Sequence, residues 1–149
     1  IVPVISFNYA ARNLERCRKT LTEALIFGMA LMFIGTLCFV FIPVPMLHVF
    51  THDEAVISIC RVSFPIQGIS FLPLVSSLTF PVFFQAVGAS LKSSALTVIR
   101  TVVLFVPLGW LFSRFGLNYF WLTFPVTDII TTTVGVILYR RFLRRAQAQ

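Results

Sequence analysis

The sequence predicts an all-α fold: a polytopic integral membrane helix bundle with four complete transmembrane helices. Three observations predict it. First, the 149 residues are 58% hydrophobic and only 11% charged. Soluble domains are about 45–50% apolar and about 25% charged. A small domain buries only about two-thirds of its surface, so lipid must solvate most of this chain. Second, the apolar residues gather into four long runs. Crossing about 30 Å of hydrocarbon takes roughly 20 helical residues, and each run qualifies. An open strand in lipid would leave its backbone groups unpaired, so the runs are read as helices. Third, the net charge of +7 is concentrated in alternate loops.

The opening stretch "IVPVISFNY" has no basic region followed by a long apolar run and a cleavage site, so it is not a signal peptide. It reads as the end of a helix cut from a longer protein, of which this chain is the C-terminal piece. Residues 1–20 therefore divide into a truncated helix end and a basic loop, "AARNLERCRKT". The four-helix membrane part follows over residues 21–139, and a basic tail over 140–149.

The first span is predicted over Leu21–Phe41, stopped by Pro43 and Pro45. The loop "IPVPMLHVFTHDE" then reads as a short interfacial element, with Thr51 or Asp53 capping the next helix. His48 and His52 share a helix face near Asp53 and Glu54, but two histidines and a loose carboxylate are a weak signal and no metal is expected. Cys17, Cys38 and Cys60 have no C-x-x-C spacing and read as packing residues.

The second span, Ala55–Val87, contains Pro65, Pro73 and Pro81 at intervals of eight. Each proline removes a backbone hydrogen bond and tends to kink its helix. Proline is also commoner in membrane helices generally. Three in one helix point to a moving or cavity-lining element, the kind transporters build around a binding cavity. The third span, Leu91–Phe115, and the fourth, Phe120–Tyr139, should be kinked at Pro107 and Pro125 in the same way.

Charge sets the orientation. Arg12, Arg16, Arg18, Lys19, Lys92, Arg140, Arg141, Arg144 and Arg145 fall on one side of a four-pass chain, and the opposite loops offer only Arg114. The positive-inside rule places the basic side, with the C-terminus, in the cytoplasm. The basic tail suits anionic headgroups. No aromatic–basic interleaving lies outside the membrane, so no nucleic-acid partner is expected.

Polar residues inside the spans are sparse. The second span has Arg61, Gln67 and Gln85, the third Arg100, and the fourth Asp128 before Thr131–Thr133. Serine and threonine can satisfy their own helix backbone and are weak evidence. Asp128 lies about 12 Å inside the outer end of its predicted helix. Insertion of an ionised Asp or Arg at the centre of a span costs about 2.5–3.5 kcal/mol. Such groups face the protein interior and pair, or line an ion or substrate path. Three readings stay open for Asp128: a structural pair with Arg100, a polar cavity handling a cation or proton, or a protonated hydrogen-bonded acid. Arg61, Gln67, Gln85, Pro65, Pro73 and Pro81 are the candidate cavity-lining or gating residues.

The ordered motifs resemble the C-terminal lobe of the multidrug and toxic compound extrusion (MATE) family. "PVISFNYAARNLERCRKT" is similar to that family's loop between helices eight and nine, P-x-x-x-x-N-Y-G-A-R-N, with Pro3, Asn8, Tyr9, Ala11, Arg12 and Asn13 matching and Ala10 where glycine is usual. "MLHVFTHDEAV" resembles the external element before helix ten. "FFQAVGASLKSSALTVIRTVVLFVPLGWLF" resembles the passage from helix ten to eleven, with Gln85, Gly88, Arg100 and Pro107 in register. "FGLNYFWLTFPVTDII" is similar to the start of helix twelve, with Gly116, Trp121, Pro125 and Asp128.

The resemblance implies two six-helix lobes, with this chain holding the end of helix eight and helices nine to twelve. It implies a secondary transporter of the plasma membrane that is not an enzyme. Such a protein expels cationic or amphipathic compounds by alternating access, coupled to proton or sodium entry, with no other cofactor. The N-terminal lobe of the same protein and the bilayer would be its partners, and the fragment alone would be inactive. The family's helix-ten acid has no counterpart between Glu54 and Gly88. A lipid-linked oligosaccharide flippase of the wider superfamily and a non-transporting membrane subunit are the alternatives.

Overall fold

The computed structural model describes residues 1–147. Helix α1 (Val2–Ala10) leads into α2 (Leu14–Phe41) through Arg12, whose φ is 55°. The Arg12 N–H donates to the Tyr9 carbonyl at 3.0 Å and the Asn13 N–H to the Asn8 carbonyl at 2.8 Å. This is the Schellman closure, usually built on glycine. Ala10 is the last residue of α1, so the left-handed position falls two residues beyond the one where the resemblance leads one to expect glycine. Asn13 caps α2 by accepting from the Arg16 N–H at 3.0 Å. That cap starts the helix earlier than apolar character alone predicts.

Helix α2 ends before Pro43, which opens the short α3 (Pro43–His48). Both predicted capping residues are used next. Asp53 accepts from the Ala55 N–H at 2.8 Å to cap α4 (Glu54–Ala86), and Thr51 Oγ1 accepts from the Asp53 N–H at 3.2 Å. Helix α4 runs unbroken through its three prolines.

The third span, expected to be kinked at Pro107, is interrupted before that residue instead. It comprises α5 (Ser90–Val98), a π-helical turn (Ile99–Leu104) and α6 (Phe105–Ser113). The Phe105 N–H donates five residues back, to the Arg100 carbonyl. A proline ring clashes with the carbonyl four residues earlier in an α-helix. The widened turn sits immediately before Pro107 and takes up that clash.

The fourth span also differs. A short α7 (Leu117–Phe120) precedes α8 (Thr123–Gln147). Pro125 therefore lies in the first turn of α8, where an N–H has no helical acceptor to lose, and the expected kink at Pro125 is not needed. Helix α8 continues through what reads in the sequence as the tail, as far as the described residues extend; residues 148–149 lie outside them.

Helix α4 is central and packs against α1, α2, α3, α5 and α8. Without a hydrophobic force between helices in lipid, close approach comes from small residues. A Cβ on Gly28 would lie 2.7 Å from Val75, one on Gly68 2.9 Å from Phe39, and one on Gly135 2.7 Å from Phe80. Thr36 Oγ1 donates across the α2–α4 contact to the Gly68 carbonyl at 2.8 Å. At the basic end Ile5, Leu21, Phe80, Phe83, Phe84 and Leu96 form a buried cluster, against which Tyr139 and Phe142 pack. Lys92 closes it, its Nζ 5.6 Å from the Phe84 ring and 5.3 Å from that of Phe142.

Four helices are long and apolar enough to cross a membrane: Leu14–Phe41, Glu54–Ala86, Ser90–Ser113 and Leu117–Ala146. Phe27, Leu31, Phe33, Ile34 and Phe41 of α2 are all exposed. An apolar face this large requires lipid or another protein surface. The chain is a multi-pass membrane protein, and no strand occurs among the described residues.

Candidate functional site

Helix α8 is polar inside and apolar outside. Thr123, Thr127, Thr131 and Gly135 recur every fourth residue and are buried, as is Asp128; Ile129, Ile130 and Ile137 are exposed. Residues four apart share a helix face. The buried seam looks toward α4 and α6, and the isoleucines are left for lipid.

Asp128 is 2% exposed. Its Oδ1 accepts from Arg100 Nε at 2.9 Å and from Ser77 Oγ at 2.9 Å. Arg100 comes from the π-helical turn, Ser77 from α4 and Asp128 from α8, so one carboxylate oxygen ties three elements together. The pair is asymmetric: the Arg100 side chain is 25% exposed, that of Asp128 3%. The sequence left Arg100 free to reach either way, and the fold turns it inward.

Pro73 and Pro81 of α4 enter this site through the backbone. Pro81 has no N–H, so the carbonyl of Ser77 lacks its helical donor. The Ser77 hydroxyl is shared between Asp128 and the Leu74 carbonyl, 3.0 Å away. Thr132 Oγ1 donates to the Pro73 carbonyl at 2.9 Å and fixes α8 against α4 one turn from the ion pair.

Other candidates lie apart. Arg61 and Gln85 are exposed and Gln67 is half-buried. Gln85 shares a shallow groove with Ser90, Ser93, Ser94 and Thr97. Pro65 lies in the same helix, nearer its capped end. The His48 and His52 rings are 5.6 Å apart, and Asp53 is occupied as a helix cap. Among the described residues no group of three His, Cys, Asp or Glu could hold a metal ion.

Sequence reasoning missed three participants. Ser77 was passed over as a serine in a helix, although its place four residues before Pro81 marks a carbonyl in need of company. Thr123 and Thr127 were overlooked in favour of Thr131–Thr133. Their hydroxyls, with Trp121 Nε1, are buried with no partner among the described residues. The spacing of Thr123, Thr127 and Thr131 was the available signal.

Chemically, the arrangement neutralises a buried carboxylate without filling it. Both bonds fall on Oδ1. A cation reaching Asp128 competes with a guanidinium already in place. A proton on Asp128 removes the charge that holds Arg100.

The fold matches a solved structure described as the outward-facing conformation of a multidrug resistance MATE family transporter of the MOP superfamily. The TM-score is 0.89 at 20% identity, over 99% of this chain and 34% of that one. This chain thus spans about a third of that structure's length. No curated relative matches it. The MatE family model matches residues 1–111, which include the Schellman turn at Arg12, Arg100 and Pro107 and stop short of Asp128, and on that match the chain belongs to the MatE family.

Proposed function

We propose that the protein containing this chain is a cation-coupled antiporter of the plasma membrane. It exports cationic or amphipathic drugs by alternating access, and this chain supplies the four last helices of its C-terminal lobe, with the C-terminus cytoplasmic. The observation that carries the reading is the buried Asp128–Arg100 pair between helices of a MatE-family fold. Ionised groups inside a span are costly and commonly mark ion or substrate paths. In this reading the coupling ion, a proton or sodium, competes with Arg100 for Asp128. The competition shifts the π-helical turn relative to α4 and α8.

The test is efflux of a cationic dye from proteoliposomes holding the complete protein, wild type against Asp128→Asn, under imposed proton and sodium gradients. Coupled efflux by the wild type and its loss in a correctly inserted mutant are expected. Equal efflux by both would remove Asp128 from coupling. No dye movement under either gradient would overturn the drug reading and leave oligosaccharide-lipid flipping as the activity to assay.

A further inference from the structure

A second charged feature lies at the opposite end of α8 from Asp128. Arg18 from α2 and Arg140 and Arg144 from α8 line one groove, together with Tyr139, Val136 and Leu143. Among the described residues the ion pairs are Lys19–Glu23 and Arg100–Asp128, so no carboxylate pairs with any of these three arginines. Glu15 lines an adjoining groove with Arg18 and Leu143, and Glu15 and Glu23 line another with Arg18 and Lys19. Neither carboxylate lines the groove that holds Arg140 and Arg144.

Ordinary helix electrostatics do not account for the cluster. A helix C-terminus favours cations, which suits Arg144, but the start of a helix favours anions, and Arg18 lies near the start of α2. Arg140 and Arg144 stand four apart on one face, an arrangement of like charges that costs stability unless an anion intervenes. In the sequence the apolar runs begin at Leu21 and end at Tyr139, so Arg18, Arg140 and Arg144 flank them, where a membrane interface is expected. Basic pockets between membrane helices at that depth suit phospholipid headgroups.

We infer that this groove binds a phosphoryl group, specifically the headgroup phosphate of an anionic phospholipid. The three guanidinium groups and the Tyr139 hydroxyl supply donors. Val136 and Leu143 supply the apolar wall that a glycerol backbone and the first acyl carbons need and a soluble phosphate does not. A lipid seated there would bridge α2 and α8. The inference stands apart from the transport reading, because binding is measured without any gradient.

The experiment is lipid binding to the complete protein in detergent, by native mass spectrometry, with phosphatidylglycerol and phosphatidylcholine as probes. Two triple variants of equal charge are compared. R18Q/R140Q/R144Q empties the groove; R16Q/R141Q/R145Q removes the same charge from arginines outside it. The groove variant should bind phosphatidylglycerol about tenfold more weakly or worse, with the other variant near wild type. If the groove triple fails to fold, R140Q alone should weaken binding and R140K restore most of it. Equal loss in both triples would reduce the effect to diffuse surface charge and overturn the site. Phosphatidylcholine binding as tightly as phosphatidylglycerol would also overturn it. Displacement of the lipid by low-millimolar inorganic phosphate would reassign the groove to a soluble phosphorylated solute.

Discussion

Arg100 and Asp128 do not stand to lose equally from each other's removal. Taking away one partner of a buried pair costs about 3–5 kcal/mol when the remaining charge is stranded. Asp128 is enclosed, so Arg100→Leu should destabilise the protein by an amount of that order. Arg100 is a quarter exposed on a long side chain, so after Asp128→Asn it can extend toward the interface. That variant should be distinctly more stable than Arg100→Leu. Unfolding by denaturing detergent, followed by tryptophan fluorescence, orders the two, and the reverse order would mean the pair is not the enclosed contact described. At this scale the sequence was informative about one half. An acid within an apolar run is conspicuous by itself. Its partner stands 28 residues away on another helix, and its hydroxyl donor 51 residues away, and distances of that kind exist only once helices pack.

Among the elements, two features position that pair. The π-helical turn carries an extra residue between α5 and α6. Deleting Val102, which is exposed, should restore regular α-geometry and rotate Arg100 relative to α6 by about 100°. A double-mutant cycle between positions 100 and 128 should then show no coupling, and retained coupling would mean the turn does not aim Arg100. The second feature is the seam between α4 and α8. At Gly135 any Cβ meets the Phe80 ring at 2.7 Å. Gly135→Val should cost about 1–3 kcal/mol by overpacking, read from the thermal midpoint in detergent. A midpoint unchanged from wild type would show that the helices can move apart freely. The spans themselves were legible from apolar length. The π-turn was not: Pro107 announces a disturbance, but a kink, a π-turn or a repositioned helix start all answer it. Pro125 shows the last outcome.

For the whole molecule, the sequence makes an orientation testable. With Cys17, Cys38 and Cys60 replaced by alanine, a cysteine at Lys92 or Arg145 should react with a membrane-impermeant thiol reagent only from the cytoplasmic face. One at His52 should react only from outside. Labelling of His52 and Arg145 from the same face would contradict a four-pass chain.

What the sequence by itself determined was class and solvent. Runs of about 20 apolar residues satisfy their backbone in lipid as helices, and the alternating charge supplies the orientation that labelling tests. Its ordered motifs carried the family resemblance, which the MatE match then bore out over residues 1–111. Only the tertiary structure decided which polar residues act together. Asp128 pairs with Arg100, while Arg61 and Gln85 stay exposed, because pairing depends on helix rotation and crossing. Those are set by where glycines let helices touch and where prolines widen or start a turn, and a single apolar run carries no measure of either.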